Sequence, residues 1–102
     1  MLSNDLTTIA VEVPVWFWAK EINEGISGHI DILQIRNNKV FILDYKPEAV
    51  KDKKAIGQLF LYARALSLRL WLPLDDFRCA WFDEENYFEF NPALANYKGV
   101  QV

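Results

Sequence analysis

Asp44 and Lys46 close the apolar run Val40-Phe41-Ile42-Leu43, and Asp31 stands 13 positions ahead of Asp44 in Gly28-His29-Ile30-Asp31. Side chains alternate along a strand, so Asp44 and Lys46 share one face while Tyr45 points to the other. Between the two apolar runs lies Arg36-Asn37-Asn38-Lys39, whose composition is that of a hairpin turn. Antiparallel pairing through that turn sets Asp31 roughly opposite Asp44, within cross-strand reach. A carboxylate at the end of an apolar strand is costly without a cation or hydrogen-bond partners. A divalent ion such as Mg²⁺ takes oxygen ligands and removes that cost, and held beside an ammonium group it suits chemistry on a phosphodiester.

The elements that must position these groups follow in a consistent order. Residues 7 to 20 are rich in Val, Ile and Trp and read as a long first strand, with Pro14 favouring a sheet edge or a bulge because it gives no ladder donor. Asn23-Glu24-Gly25 makes a turn, and strands over about 27–35 and 39–46 follow, the latter stopped by Pro47. From Ala49 or Asp52 to Trp71 the period becomes helical, with Ile56, Leu59, Ala63, Leu66 and Leu70 on one stripe; Pro73 ends it. Residues 77–82 and 87–90 read as two strands joined by the turn Asp83-Glu84-Glu85-Asn86. The expected fold is α/β: a mixed sheet with a β-β-β-α-β core, a right-handed crossover helix on one face and a C-terminal hairpin. Residues 91–102 read as a tail.

Gly28-x-x-Asp31, then Asp44-x-Lys46 after an apolar strand, then Gln58-x-x-x-Tyr62 on a helix, together resemble the PD-(D/E)xK nuclease superfamily, in particular its RecB-like and Cas4-like branches. The resemblance spans about residues 9 to 82. Each motif alone is common; three in order on the expected elements are more specific. It implies a restriction-endonuclease-like core and a Mg²⁺- or Mn²⁺-dependent deoxyribonuclease. Asp31, Asp44 and Lys46 would be catalytic, with Asp31, Asp44 and the Tyr45 backbone carbonyl as metal ligands. Gln58 would contact the phosphate or a metal-bound water, and Tyr62 would lie near the nucleic acid. Ile30 stands where the superfamily often has proline. Residues 1–8 are too few to supply the helix that usually precedes the first strand, so the chain reads as a trimmed core, or a partner supplies the helix, or Glu12 substitutes for its acid.

Other residues carry two readings each. Glu12 completes the acidic set or is an edge-strand charge against unwanted pairing. His29 is a metal ligand or a water-positioning group, or else an outer hydrogen-bonding residue near the site or simply a surface residue, as a lone histidine more often is. Lys46, Lys51, Lys53 and Lys54 against Glu48 and Asp52 form a local positive excess; Lys51 and Lys54 either meet phosphates or wet a first helical turn. Leu61, Ala65, Leu68 and Leu72 form a second apolar helix stripe, and Trp16 and Trp18 oppose Val13, Val15 and Phe17 on the first strand. Two-sided burial of that kind calls for a homodimer or larger assembly. The two indoles pack in a core or interface, the commoner use, or stack bases.

Composition bounds the class. At 102 residues with 52% hydrophobic and 15% aromatic content, the chain is one folded domain, core about 9–90, with room for a single core. It has no run of about 18 apolar residues to cross a membrane and no secretory signal pattern, so a cytoplasmic location is expected. The single Cys79 lies in an apolar run and reads as a buried structural thiol. A formal net charge of −3 sits awkwardly with phosphate binding, so contact with DNA must be localised. The expected activity is hydrolysis of DNA phosphodiester bonds by a metal-activated water. The alternative is a non-catalytic nucleic-acid-binding or assembly subunit with a nuclease-like fold, and a third is an interaction module with chance motifs.

Overall fold

A computed structural model describes residues 7–20 and 22–95. The protein is α/β: five strands form one mixed sheet in the order β1 (Thr7–Ala19), β2 (Glu24–Arg36), β3 (Lys39–Tyr45), β4 (Phe77–Phe82), β5 (Tyr87–Phe90). The β1–β2, β2–β3 and β4–β5 pairs are antiparallel, and β3–β4 is parallel. A parallel neighbour requires a crossover, which α1 (Ala55–Leu70) supplies. The expected order of elements therefore holds, with both later strands at the expected bounds. The helix starts later than its periodicity suggests, because Ala49–Lys51 forms a separate 3₁₀ turn. The Asp52 carboxylate then accepts from Lys54 N at the helix entry.

One sheet face carries the main core. Val40 and Ile42 from β3 meet Leu59, Tyr62 and Ala63 from α1, Phe77 and Cys79 from β4, and Val15 and Phe17 from β1. The alternate β3 residues Phe41 and Leu43 join Ala80 in a smaller buried cluster on the opposite face, edged by Ile32 and Phe82. The Arg36 guanidinium lies 4.1 Å over the Phe41 ring and covers part of that face. Where composition suggested a single core, β3 is thus buried on both sides, as its unbroken apolar run requires. The Cys79 thiol is buried, and its Sγ lies 3.6 Å from the Leu59 carbonyl.

The second helix stripe is mostly covered within the chain. Leu61 and Ala65 are buried, Leu72 is half-buried, and Leu68 is exposed. Trp71 caps the helix at φ 59° and is 92% exposed. No helix among the described residues is long and apolar enough to cross a membrane.

Two departures from regular sheet geometry shape the site. The β2–β3 register runs from Ile32↔Leu43 to Arg36↔Lys39, whereas β1–β2 continues to Ala19↔Glu24. The β1–β2 hairpin therefore projects beyond β3, with β1 along the outer sheet edge, where Pro14 is tolerated. Side-chain alternation also breaks: Ala10 and Val13 both pack toward the main core, as do Ile30 and Leu33 opposite them. The odd residues at this break are Glu12, held at φ 51°, and Asp31.

A polar clamp closes the sheet end near the site. The Asp83 carboxylate accepts from Ala49 N at 2.7 Å, Asn86 N at 2.8 Å and Glu85 N at 2.9 Å. Trp81 Nε1 donates to the Ala49 carbonyl at 3.0 Å. Backbone donors at Glu85 and Ala49 hold the Asp83 carboxyl below its usual range. A depressed carboxyl contributes stability that is present above its unfolded pKa and is lost as pH falls through the folded value. Asp83→Ala is expected to lower the melting temperature at neutral pH, with the gap to wild type closing as the solution is acidified below the ordinary carboxylate range. Coincident melting curves at pH 7 would show that the clamp contributes nothing.

Candidate active site

Ile32 faces Leu43 at the last β2–β3 pair, which sets Asp31 opposite Asp44 one step further along. Regular pairing ends there. The Asp31 carboxylate takes over the ladder's role by accepting from Tyr45 N at 3.0 Å through Oδ2. The alternation break at Asp31 aims this side chain at the end of β3, where it also meets the Asp44 carboxyl. Tyr45 itself points to the other face, packs on Phe82 at 5.8 Å between ring centroids and donates its hydroxyl to Glu84.

Asp44 is 5% exposed and is the one buried charged side chain among the described residues. Burial, and then hydrogen bonding to the Asp31 carboxyl, push its pKa up to about 6, against the opposing pull of Lys46. Lys46 Nζ lies 2.9 Å from Asp44 Oδ2. Burial works to lower the Lys46 pKa, but hydrogen bonding and attraction from Asp44, aided by Asp52, outweigh it and raise the value. The pair is therefore asymmetric: the amine is firmly protonated, while the carboxyl beside it holds a proton more readily than an ordinary aspartate.

Helix α1 completes the constellation. Lys46 Nζ donates to Gln58 Oε1 at 2.9 Å, and Gln58 Nε2 donates to the Tyr62 hydroxyl oxygen at 3.0 Å. The four-residue spacing stacks Gln58 and Tyr62 on one helix face. Tyr62 is nearly fully buried, with its ring edge on Phe17 at 6.4 Å between centroids. Its hydroxyl sits against Gly28, where any Cβ would collide with it. Gly28 is thus a packing requirement of the helix-borne Tyr62, and a glycine inside a strand is the sequence signal for such a close approach.

A hollow of about 390 Å³ opens beside this chain of contacts, lined by Ile26, Ser27, Lys46, Asp52, Lys54, Gln58, Leu61 and Tyr62. Asp31, Asp44, Lys46, Gln58 and Tyr62 are thus brought together, with Lys54 at the rim. Lys51 is exposed and lies 3.4 Å from Glu48. His29 is exposed and lines a separate hollow with Pro14, Trp16 and Arg69. Glu12 is exposed on β1. Among the described residues no three His, Cys, Asp or Glu side chains gather as a group able to hold a metal. Asp31 and Asp44 stand as a pair. The roles of Ser27 and Ile26 as lining, and of Asp83 as the clamp behind the site, have no motif in the sequence; they arise where the hairpin overhangs the end of β3.

Two substitutions test this geometry. Gly28→Ala is expected to cost about 1–3 kcal/mol of stability by overpacking against the Tyr62 hydroxyl, and Gly28→Ala with Tyr62→Phe to recover most of it; a double variant no better than Gly28→Ala would refute the contact. For Asp44 the sign runs opposite to Asp83. A carboxyl moved from 3.8 to about 6 penalises the folded state by an amount absent near pH 4 and fully present above pH 6, at most about 3 kcal/mol. In chelator, Asp44→Asn should therefore gain stability over wild type as pH rises from 4 to 7, a difference read by denaturant titration. A constant difference would mean that Asp44 is not desolvated.

Compared with known proteins, the chain matches no family model, and no curated protein matches it.

Proposed function

We propose that this chain is a metal-dependent nuclease that hydrolyses DNA phosphodiester bonds. One observation carries the reading: Asp44 is a buried carboxyl pressed against a second carboxyl, Asp31, with the Lys46 ammonium 2.9 Å away. Two adjacent carboxyls, with the proton affinity of Asp44 raised, are an oxygen donor set that favours an added cation. The donor chemistry fits Mg²⁺ or Mn²⁺, with Asp31, Asp44 and the Tyr45 backbone carbonyl as the groups that would hold it. When bound, such an ion supplies Lewis acidity and a water of lowered pKa. The strand order, with α1 crossing from β3 to a parallel β4, supports a restriction-endonuclease-like core.

The chain's own residues have defined parts in this reading. Lys46 presents a protonated Nζ at the mouth of the hollow, where it offsets negative charge gathering on a phosphate in the transition state. Gln58 fixes that ammonium from the helix side, and Tyr62 fixes Gln58 in turn, so Lys46 is oriented by two elements at once. Such preorganisation is what gives electrostatic stabilisation its strength. Asp31 holds the end of β3 through Tyr45 N and keeps Asp44 in line with Lys46. Lys54 at the rim adds positive charge for an arriving phosphate.

The test joins stability to activity. Millimolar Mg²⁺ or Mn²⁺ should raise the melting temperature by linkage, and Asp44→Asn should abolish the rise. On labelled single-stranded and duplex DNA, Lys46→Ala should cleave about 10²–10³-fold more slowly, the cost of losing one transition-state donor. Equal cleavage by Lys46→Ala, or a melting temperature indifferent to both metals, would overturn the assignment.

A further inference from the structure

We infer that the open edge of β1 binds a second copy of this chain, the two β1 strands running antiparallel and joining their sheets across a two-fold axis at Trp16. Among the described residues β1 has β2 on one side and no strand on the other. Such an edge is a row of unpaired backbone donors and acceptors, a template for another strand.

The ladder fixes which groups face outward. In antiparallel pairing, successive residues alternate between bonding to the neighbouring strand and pointing their N–H and C=O away from it. Arg69 of α1, not β2, donates to the Trp16 carbonyl. Trp16 therefore points outward, and Pro14 and Trp18 share its phase. Pro14 agrees with this phase, since proline is tolerated where the missing donor would have faced solvent. The edge thus offers both backbone groups of Trp16 and Trp18 and the carbonyl of Pro14.

Register follows from where the strand is regular. β1 pairs with β2 without a break from Val13↔Ile30 to Ala19↔Glu24. Left-handed Glu12 bounds this stretch at one end and the turn residue Lys20 at the other. Two copies that pair over all of it must centre on Trp16, its midpoint. Trp16 then faces Trp16, Trp18 faces Pro14, and Glu12 of one copy faces Lys20 of the other at both ends. Glu12 and Lys20 are exposed and of opposite charge, which favours this register. Glu24 and Asp31 lie on β2, one strand away from the edge. Isologous pairing of this kind closes at two subunits, because each edge is used up by the other.

The same symmetry accounts for side chains that a single chain leaves in water. Trp16 and Trp18 are 63% and 56% exposed; in the joined sheet the indoles of both copies lie on one face as cross-strand neighbours, an arrangement that aromatic rings favour. Leu68 of α1 is 68% exposed and lines a hollow with Phe17 and Trp18 at this edge, so it adds apolar surface from the helix side. Arg69 has the opposite part. It holds the Trp16 carbonyl that the second copy needs, and must release it for the strands to join.

Sedimentation velocity on the full chain over about 1–100 μM tests the interface, with circular dichroism to show that each variant is folded. Wild type should pass from monomer to dimer across that range. Glu12→Lys and Lys20→Glu should each weaken the dimer about tenfold by setting like charges opposite one another, and the two changes together should restore it. Trp18→Pro removes an outward donor and should leave a monomer. Arg69→Ala frees the Trp16 carbonyl and should tighten the dimer; dimerisation of Arg69→Ala alone would support the interface, with Arg69 as the contact that holds the edge shut. A chain that stays monomeric at the top of the range in both wild type and Arg69→Ala would overturn it. So would a dimer untouched by either charge change, or one that the paired exchange does not restore, since the copies would then meet elsewhere.

Discussion

A carboxylate withdrawn from water beside another carboxylate is tolerated only where positive charge or a proton is at hand, and Asp44 imposes that constraint on the rest of the structure. Its position follows from the β3 run, which is buried on both faces and carries Asp44, the residue before its exposed end, inward with it. Lys46 answers from the same strand face, and Gln58 and Tyr62 hold Lys46 from the helix. Gly28 leaves the space into which the Tyr62 hydroxyl fits. Removing any one of these would leave a buried charge less well partnered, so the site and the fold are stabilised by the same contacts.

The corner in which this happens is made by an unequal sheet. Because β2 outruns β3, its first half is paired on one side only, and the end of β3 is free to hand its backbone donor to a side chain. Asp31 can serve there because the strand alternation breaks beside it, and the break is matched by the left-handed Glu12 on β1. The same overhang leaves Trp16 and Trp18 on a face that α1 does not cover.

Much of this was legible in the residue pattern. The polar cluster at 36–39 together with flanking apolar runs was enough to pair β2 with β3 and to bring Asp31 opposite Asp44, since period-two alternation leaves few registers that bury Leu33 and Ile42 together. Four-residue spacing placed Gln58 over Tyr62. Pro14 marked β1 as an edge. Less was readable where local rules were overridden: the turn at Ala49–Lys51 is held by Asp83 and Trp81 from distant strands. Lys51 reads like Lys54 in sequence, yet only Lys54 reaches the hollow. The helix stripe at Leu61 and Ala65 suggested a partner, and the chain covers both residues by itself.

Types, spacing and strand order were settled by local chemistry: alternation, turn composition and helical period act over a few residues, and those few residues are present in the chain as written. Which carboxyl is buried, which lysine turns inward, and that Gly28 must lack a side chain depend on contacts between residues far apart in sequence, such as Lys46 with Gln58 and Gly28 with Tyr62. Proton affinity belongs to the same class, because the rise at Asp44 comes from desolvation and a neighbouring acid that only the packed sheet and helix bring about.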